Sequence, residues 1–307
     1  MAEDELRVVT GPTASGKSAL ALVLAERFPT TIVSADSRQI YRGFDIGTAK
    51  PSRAELAAVP HRGIDVVDPT QRYSAASWAA AAEEWARESR AAGRTPLVVG
   101  GTGFYIRALV APLFAEPPLD PGSRAALGGR LAELDTGELR RWTRALDPAR
   151  AHLGRAQLLR AIEVALLTGV PISEWHRRAP GAPRRGARYL VLDPGAALAG
   201  RIEARVLEML SGGWEAEVAS LLAEVPSAAP AWNASGYRAV RDLVEGRTSR
   251  ERAIERTVID TRQYAKRQRT WIRNQLRNED VTFLDPLSPD ALDAASAWFA
   301  RNDEGNR

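Results

Sequence analysis

The chain has 307 residues, 45% of them hydrophobic, enough to bury the core of one large domain or two smaller ones. Cysteine is absent, which excludes disulfide frameworks, thiolate zinc sites and cysteine nucleophiles and fits a reducing compartment. The formal charge is +4, with lysine only at 17, 50 and 266 and arginine carrying the rest. Arginine's planar fork of donors suits phosphate, so the bias is compatible with nucleic-acid binding, although a general Ala- and Arg-rich habit explains it as well. The start MAEDELRVVT places acids where a secretory signal carries positive charge, and no apolar run reaches the roughly 18 residues that span a membrane. A cytoplasmic protein without a membrane segment is expected.

In chain order, residues 6–10 form a β-branched run that leads through a glycine-containing turn into an Ala/Leu-rich stretch over 18–27, and so predict strand, loop and helix. A second strand is expected over 31–35, ending at Asp36, and a third over 96–99, ending at Gly100 and Gly101 before another helical pattern. Strands alternating with helices imply a parallel sheet with ligands at the carboxyl ends of its strands. From 113 to 187 the pattern is helical, with Leu127, Leu131 and Leu134 on one face and Leu158, Ile162 and Ala165 on another. Residues 176–188, rich in Pro, Gly and Arg, read as a linker, and 189–192 as a strand returning to the sheet. Helices are predicted over 199–211, 214–223 and 249–277, with a short last helix near Pro289 capped by Ser288.

The string GPTASGKS matches G-x-x-x-x-G-K-[ST], with glycines at 11 and 16 followed by Lys17 and Ser18, between a strand and a helix. Glycines let backbone N–H groups curl around phosphate oxygens. The helix N-terminus and Lys17 supply positive potential there, and Ser18 can ligate Mg²⁺. The ordinary alternative is a bare glycine turn, but all motif positions and the context are present. The fold class expected is α/β, a P-loop NTPase-like core with a parallel sheet flanked by helices, over 1–112 and 188–307, plus an inserted all-helical domain over 113–187. By itself the loop points to a kinase or NTPase acting on ATP or GTP. Such enzymes usually place a further acid at the end of a hydrophobic strand, where 97–99 ends instead in GGTG. Asp36, at another strand end, could accept a proton, cap a helix or join a magnesium shell.

Together, GPTASGKS, SADSRQIYRGFDIGTAKP at 34–51, YSAASW at 73–78, PLVVGGTGFYIRAL at 96–109 and TRQYAKRQRTW at 261–271 resemble the tRNA dimethylallyltransferase (tRNA isopentenyltransferase) family, in that family's order across nearly the whole chain. The resemblance implies transfer of a dimethylallyl group from dimethylallyl diphosphate to N6 of adenosine 37, beside the anticodon, in tRNAs reading codons that begin with U. It implies a diphosphate cradle of Gly11, Pro12, Thr13, Ala14, Ser15, Gly16, Lys17 and Ser18, with Mg²⁺ as cofactor on Ser18. Asp36 then matches the general base, Thr102 a threonine near the reacting amine and diphosphate, and Arg205 an arginine at the diphosphate, with Arg201 one turn away weighted less. Thr102 also stands where a helix N-cap belongs.

The anticodon stem-loop of tRNA is the partner implied, and a monomer is expected. Asp36, Ser37, Arg38 and Gln39 match the acceptor-recognition segment, Gln39 being the candidate for reading a base edge. Arg124, Gln157 and Arg160 of the inserted domain join the tRNA-binding set. On the long helix, Arg262, Lys266, Arg269, Arg273 and Arg277 fall within an arc of about 80°, with Ala253, Tyr264 and Trp271 opposite. Such a face is usually just solvated; with the resemblance it reads as a phosphate-backbone track. Tyr41 and Phe104 could stack bases or simply pack. The chain departs from the family pattern in AHLGRAQLLRAIEV at 151–164, where Gln157 replaces an arginine and an Asn-Asp pair is missing, in HRGID at 61–65, and at Ala239.

Overall fold

The computed structural model describes residues 5–111, 117, 119–178 and 185–301. The first four residues of the acidic start and residues 179–184 of the expected linker lie outside them. The chain divides into two compact units, one formed by Met1–Pro112 with Arg184–Arg307 and the other by Leu113–Pro183. The return to the larger unit comes before 188, because Arg185 N–H already donates to Val110 O and Gly186 O already accepts from Leu6 N–H.

The larger unit is built on six parallel strands: β1 Leu6–Thr10, β2 Thr30–Ser34, β3 His61–Arg62, β4 Thr95–Val99, β5 Ala187–Leu192 and β6 Asp280–Leu284, in the order β3-β2-β4-β1-β5-β6. The central strands are buried on both faces, as β-branched and leucine runs in a parallel sheet require. Sequence pattern had shown neither edge strand. β3 has two residues, too few for a period. β6 exposes four of its five residues at least in part, and Phe283 is 69% exposed.

Helix α1 (Lys17–Arg27) follows β1, α2 (Arg53–Ala58) and α3 (Ala75–Ala91) lie between β2 and β4, and α4 (Gly103–Val110) follows β4. Ser52 begins α2 with a capping box to Glu55, and Ser74 begins α3 by accepting from Ser77 N–H. On α3, Trp78 is fully buried, stacks on Tyr105 of α4 at 4.8 Å and donates its indole N–H to Ser34 O.

The smaller unit consists, among its described residues, of α5 (Pro121–Ala132), α6 (Thr136–Leu146), α7 (Arg155–Thr168), α8 (Ile172–Arg178) and a 3-10 turn. Leu131, Leu139, Leu158 and Ile162 form a core cluster with Leu127, Leu134, Leu146 and Leu159 packed around them, so Leu127, Leu131 and Leu134 of one expected face meet Leu158 and Ile162 of the other, while Ala165 is not part of this cluster. Helix α8 runs to Arg178, which makes 176–178 helix rather than linker. Its first turn is held by fully buried Asp147, whose Oδ2 accepts from Ser173 N–H at 3.0 Å.

Back in the larger unit, α9 (Leu198–Ser211), α10 (Trp214–Glu224), α11 (Tyr237–Val244) and α12 (Arg250–Gln275) follow β5, and α13 (Ala291–Ala300) closes the chain. The N-cap of α13 is Asp290 and not Ser288, whose hydroxyl turns to the Asp290 carboxylate. Trp298 and Phe299 of α13 join Leu24 of α1 and Leu97, Leu190 and Leu192 of the sheet in one core. Arg188, on β5 and fully buried, donates to Phe299 O at 3.3 Å and to Arg301 O, satisfying carbonyls at the end of that helix. No single described helix is long and apolar enough to cross a membrane.

Candidate active site

Four strand ends meet at one place in the larger unit. After β1 the chain turns through residues 11–16 into α1. Gly11 has φ +150°, and a Cβ there would lie 2.2 Å from Leu192 O; Gly16 has φ +97°. Both positions therefore demand glycine. The loop is held by side chains from two directions. Lys17 Nζ donates to Pro12 O at 2.6 Å, Arg201 Nε to Ala14 O at 2.8 Å, and Arg205 Nη1 approaches Thr13 Oγ1 at 3.5 Å. Arg201, weighted below Arg205 on sequence, is thus bonded to the loop as directly.

Three cationic groups around so short a backbone need an anion. Burial first, and Arg205 second, pull the Lys17 ammonium down from 10.5 to about 7, while Asp36 raises it. Arg205 is lowered too, by burial, with Asp36 and Glu208 opposing. The phosphates of a ligand would supply the missing charge.

Asp36 follows β2, and its Oδ1 accepts from Arg38 N–H at 2.8 Å. Thr102 follows β4. Its hydroxyl does not cap α4, although it holds the N-cap position; instead Oγ1 accepts from Ser37 N–H at 3.0 Å. Gly100 permits this approach, since a Cβ there would sit 2.2 Å from Ala35 O. Asp36 and Ser37 at the end of β2 and Thr102, 65 residues on from Ser37, therefore form one corner. The Tyr264 hydroxyl of α12 is pushed up to about 12 by burial and then by Asp36.

A cavity of about 500 Å³ opens onto this corner, with Thr13, Asp36, Arg38, Arg205 and Tyr264 among its walls. Trp214 lines it deeper in, wedged where Gly47 and Gly236 have no Cβ. Glu217 fixes that wall by accepting from Asp45 N–H, Ile46 N–H and the Tyr237 hydroxyl. Neither Trp214 nor Glu217 lies in a motif that marked it beforehand.

Other expectations are corrected. Gln39 has no amide edge to offer a base: Oε1 accepts from Ser34 Oγ at 2.9 Å, and Nε2 donates to Thr48 O and Ala49 O. Its work is to shape the loop that follows Asp36, which Lys50 also pins through Tyr41 O, Asp45 and Asp65. Tyr41 is buried, so of the two candidate stacking aromatics only Phe104, 55% exposed, is presented outward. Ser18 is exposed on the first turn of α1. Ala239 lies in the interior, and His61 donates from Nδ1 to Val59 O at 2.7 Å.

On α12 the buried residues are Ala253, Thr257, Val258, Ala265, Gln268 and Ile272. At 100° per residue this stripe is turned about 50° toward Arg269 from the position opposite the basic arc. Arg269 is accordingly drawn inward, where it bonds the Asp193 carboxylate with two nitrogens and Gly195 O with one. It is a brace and not part of an open track. Arg262 pairs with Glu203 at 3.6 Å, and Arg277 lies beyond the helix end, its Nε on Arg273 O. Lys266 and Arg273 are exposed and have no side-chain partner among the described residues. In the smaller unit, Arg124 and Arg160 converge on Glu163 at 3.3 and 3.1 Å, and Gln157 is exposed one turn before Arg160.

The sequence matches the family model for IPP transferase over residues 39–275 and that for isopentenyl transferase over 4–63. A tRNA dimethylallyltransferase of Stenotrophomonas maltophilia is 43% identical over 95% of this chain and 96% of its own; one of Halorhodospira halophila is 45% identical over 91% and 93%. Among solved structures, the tRNA isopentenylpyrophosphate transferase of Bacillus halodurans superposes with a TM-score of 0.69 at 30% identity, covering 97% of this chain and 96% of that one. A eukaryotic dimethylallyltransferase captured acting on tRNA gives 0.79 at 25% identity, covering 97% and 78%. With a P-loop joined to the Asp36–Thr102 corner and relatives matching along nearly all of its length, the chain belongs to the IPP transferase family of tRNA dimethylallyltransferases.

Proposed function

We propose that the protein transfers the dimethylallyl group of dimethylallyl diphosphate to N6 of adenosine 37 in tRNAs reading codons that begin with U, releasing diphosphate. The observation that carries this reading is the single cavity wall shared by the cation-ringed loop and the Asp36–Thr102 corner. Diphosphate held by the loop, Lys17, Arg201 and Arg205 leaves as the C1–O bond breaks, and these cations offset the charge that develops on it. N6 of the adenine is a weak nucleophile because its lone pair is delocalised into the ring. As the N6–C1 bond forms, the Asp36 carboxylate takes the N6 proton. Thr102 holds Ser37, and through it the peptide next to Asp36, in register for that transfer.

Among the described residues no group of three acidic or histidine side chains assembles around a metal. Ser18 is the residue that would hold a Mg²⁺ ion, with substrate phosphates and water able to supply the other oxygen ligands. It would supply Lewis-acid stabilisation of the departing diphosphate.

The acceptor lies in an anticodon loop, so the base must leave its stack to reach the cavity. Lys266 and Arg273 on α12, with Arg38 at the cavity and Arg124, Gln157 and Arg160 in the smaller unit, serve as tRNA contacts. The protein acts in the cytoplasm, where free tRNA is available, and since every reacting group named comes from one chain, a monomer suffices. The test is a reaction of purified protein with unmodified tRNA and dimethylallyl diphosphate, read by mass spectrometry of the nucleosides. N6-dimethylallyladenosine is expected; ATP hydrolysis with unmodified tRNA would overturn the proposal in favour of a nucleotide-consuming enzyme.

A further inference from the structure

The buried face of α12 reaches the reacting groups from behind. Gln268, 6% exposed, uses its entire carboxamide on two backbone groups: Oε1 accepts from Thr13 N–H at 2.8 Å, and Nε2 donates to Gly101 O at 2.9 Å. The partners define the orientation of the amide, since one is a donor and the other an acceptor. Thr13 lies in the loop after β1 and Gly101 in the turn after β4, and these strands are neighbours with Val9 opposite Val99. Room for the contact is reserved, because a Cβ at Gly101 would lie 2.0 Å from Nε2. Thr10 Oγ1 ties the same two segments lower down, at Gly100 O, but it joins the end of the strand and not the loop itself.

Each end of Gln268 is thus within one residue of a group that works on the reaction. Thr13 carries the hydroxyl that Arg205 approaches, and Gly101 precedes Thr102, which holds Ser37 beside Asp36. We propose that Gln268 is a positioning residue that sets the spacing between the phosphate loop and the Asp36–Thr102 corner, and so the approach of the accepting amine to the carbon losing diphosphate. The rate measurement rests on the prenyl-transfer reading given above; the measurement of diphosphate binding does not.

Gln268→Met keeps the apolar stem and removes both bonds. The expected result is a kcat lowered about 10- to 100-fold, the scale on which a small misplacement of reacting groups costs rate. Affinity for inorganic diphosphate, measured by calorimetry, should fall several-fold, while affinity for an anticodon stem-loop RNA stays within about twofold, because the exposed side of α12 is untouched. A residue that only stabilised the fold would lower Tm and leave both kcat and diphosphate affinity of the folded protein unchanged, and that result would overturn the proposal.

Should the methionine variant fail to fold, Gln268→Glu, nearly isosteric, decides the question. Its carboxylate can accept from Thr13 N–H but cannot donate to Gly101 O, whereas the protonated acid can do both. Burial raises the pKa of such a group, so the rate relative to the wild-type protein should climb as pH falls from about 8 to about 6. A ratio that does not change with pH overturns the assignment. If the wild-type protein binds diphosphate and transfers nothing, the prenyl-transfer reading fails, and the diphosphate affinities of the variants still judge the role of Gln268.

Discussion

The phosphate loop and the outer face of α12 both gather positive charge, but one turns it inward and the other outward. Around residues 11–16, Lys17 and Arg201 donate to backbone carbonyls and Arg205 approaches the Thr13 hydroxyl, and desolvation holds the Lys17 ammonium down to about 7. Along α12, Lys266 and Arg273 are exposed and have no side-chain partner among the described residues. Partly desolvated cations recover that cost only when an anion arrives, so each acts strongly on one ligand. Hydrated cations act together, through release of counterions from a polyanion, and each one matters little.

The largest expected effect lies in the inward-facing cluster, at its carboxylate. Asp36→Asn should slow single-turnover transfer by about 10²- to 10⁴-fold, the range for general-base catalysis, and leave RNA affinity within a few-fold. An unchanged rate would remove Asp36 from the base role. Next comes Lys17→Met, for which the donor KM should rise by at least about tenfold with little change in RNA affinity.

Lys17 also predicts a pH dependence. Diphosphate binding requires the ammonium, which is already present below about 7 in the ligand-free protein; above that pH a proton must be taken up, so affinity should decline as pH rises. Calorimetry across that range should show the decline in the wild-type protein and lose it in Lys17→Met. The same depressed value makes the unfolded chain bind the proton more readily between about 7 and 10.5, so the contribution of this lysine to stability rises with pH over that window.

Smaller effects belong to the hydrated face. Lys266→Ala and Arg273→Ala should each weaken RNA binding modestly and reduce the slope of log affinity against log salt by about one. The contrast is sharpest at Arg269, which shares the helix but folds inward onto Asp193. Arg269→Ala should leave the salt slope unchanged and cost about 1 kcal/mol in a denaturation experiment, as expected for a partly exposed ion pair. A reduced slope in that variant would place Arg269 on the RNA after all.

How much of this was legible beforehand depended on the distance along the chain over which each feature is decided. The loop at 11–18 could be read directly, because a glycine with positive φ, a lysine and a serine in fixed order specify a local backbone path between a strand and a helix. The corner at Asp36 and Thr102 was visible only as two strand ends with matching motifs; that Thr102 accepts from Ser37 rather than capping α4 depends on two segments 65 residues apart. Gln39 looked available for a base because its neighbours look like a recognition loop, yet the loop folds back and consumes its amide. Helical periodicity placed five basic residues on one arc but could not show that the buried stripe is rotated toward Arg269.

The sequence by itself therefore determined the parallel α/β core, the leucine-rich helices of the inserted segment and the glycine loop between β1 and α1, since each follows from residue types at short spacing. Only the tertiary structure decided which polar side chains remain exposed and which are spent inside. Gln268 lies 255 residues from Thr13 and 167 from Gly101, and nothing within its own helix distinguishes it from an exposed glutamine. The physical reason is that a side chain's role is set by the groups the fold brings to it, and for Gln268, Arg201 and Arg269 those groups lie more than 70 residues away in sequence.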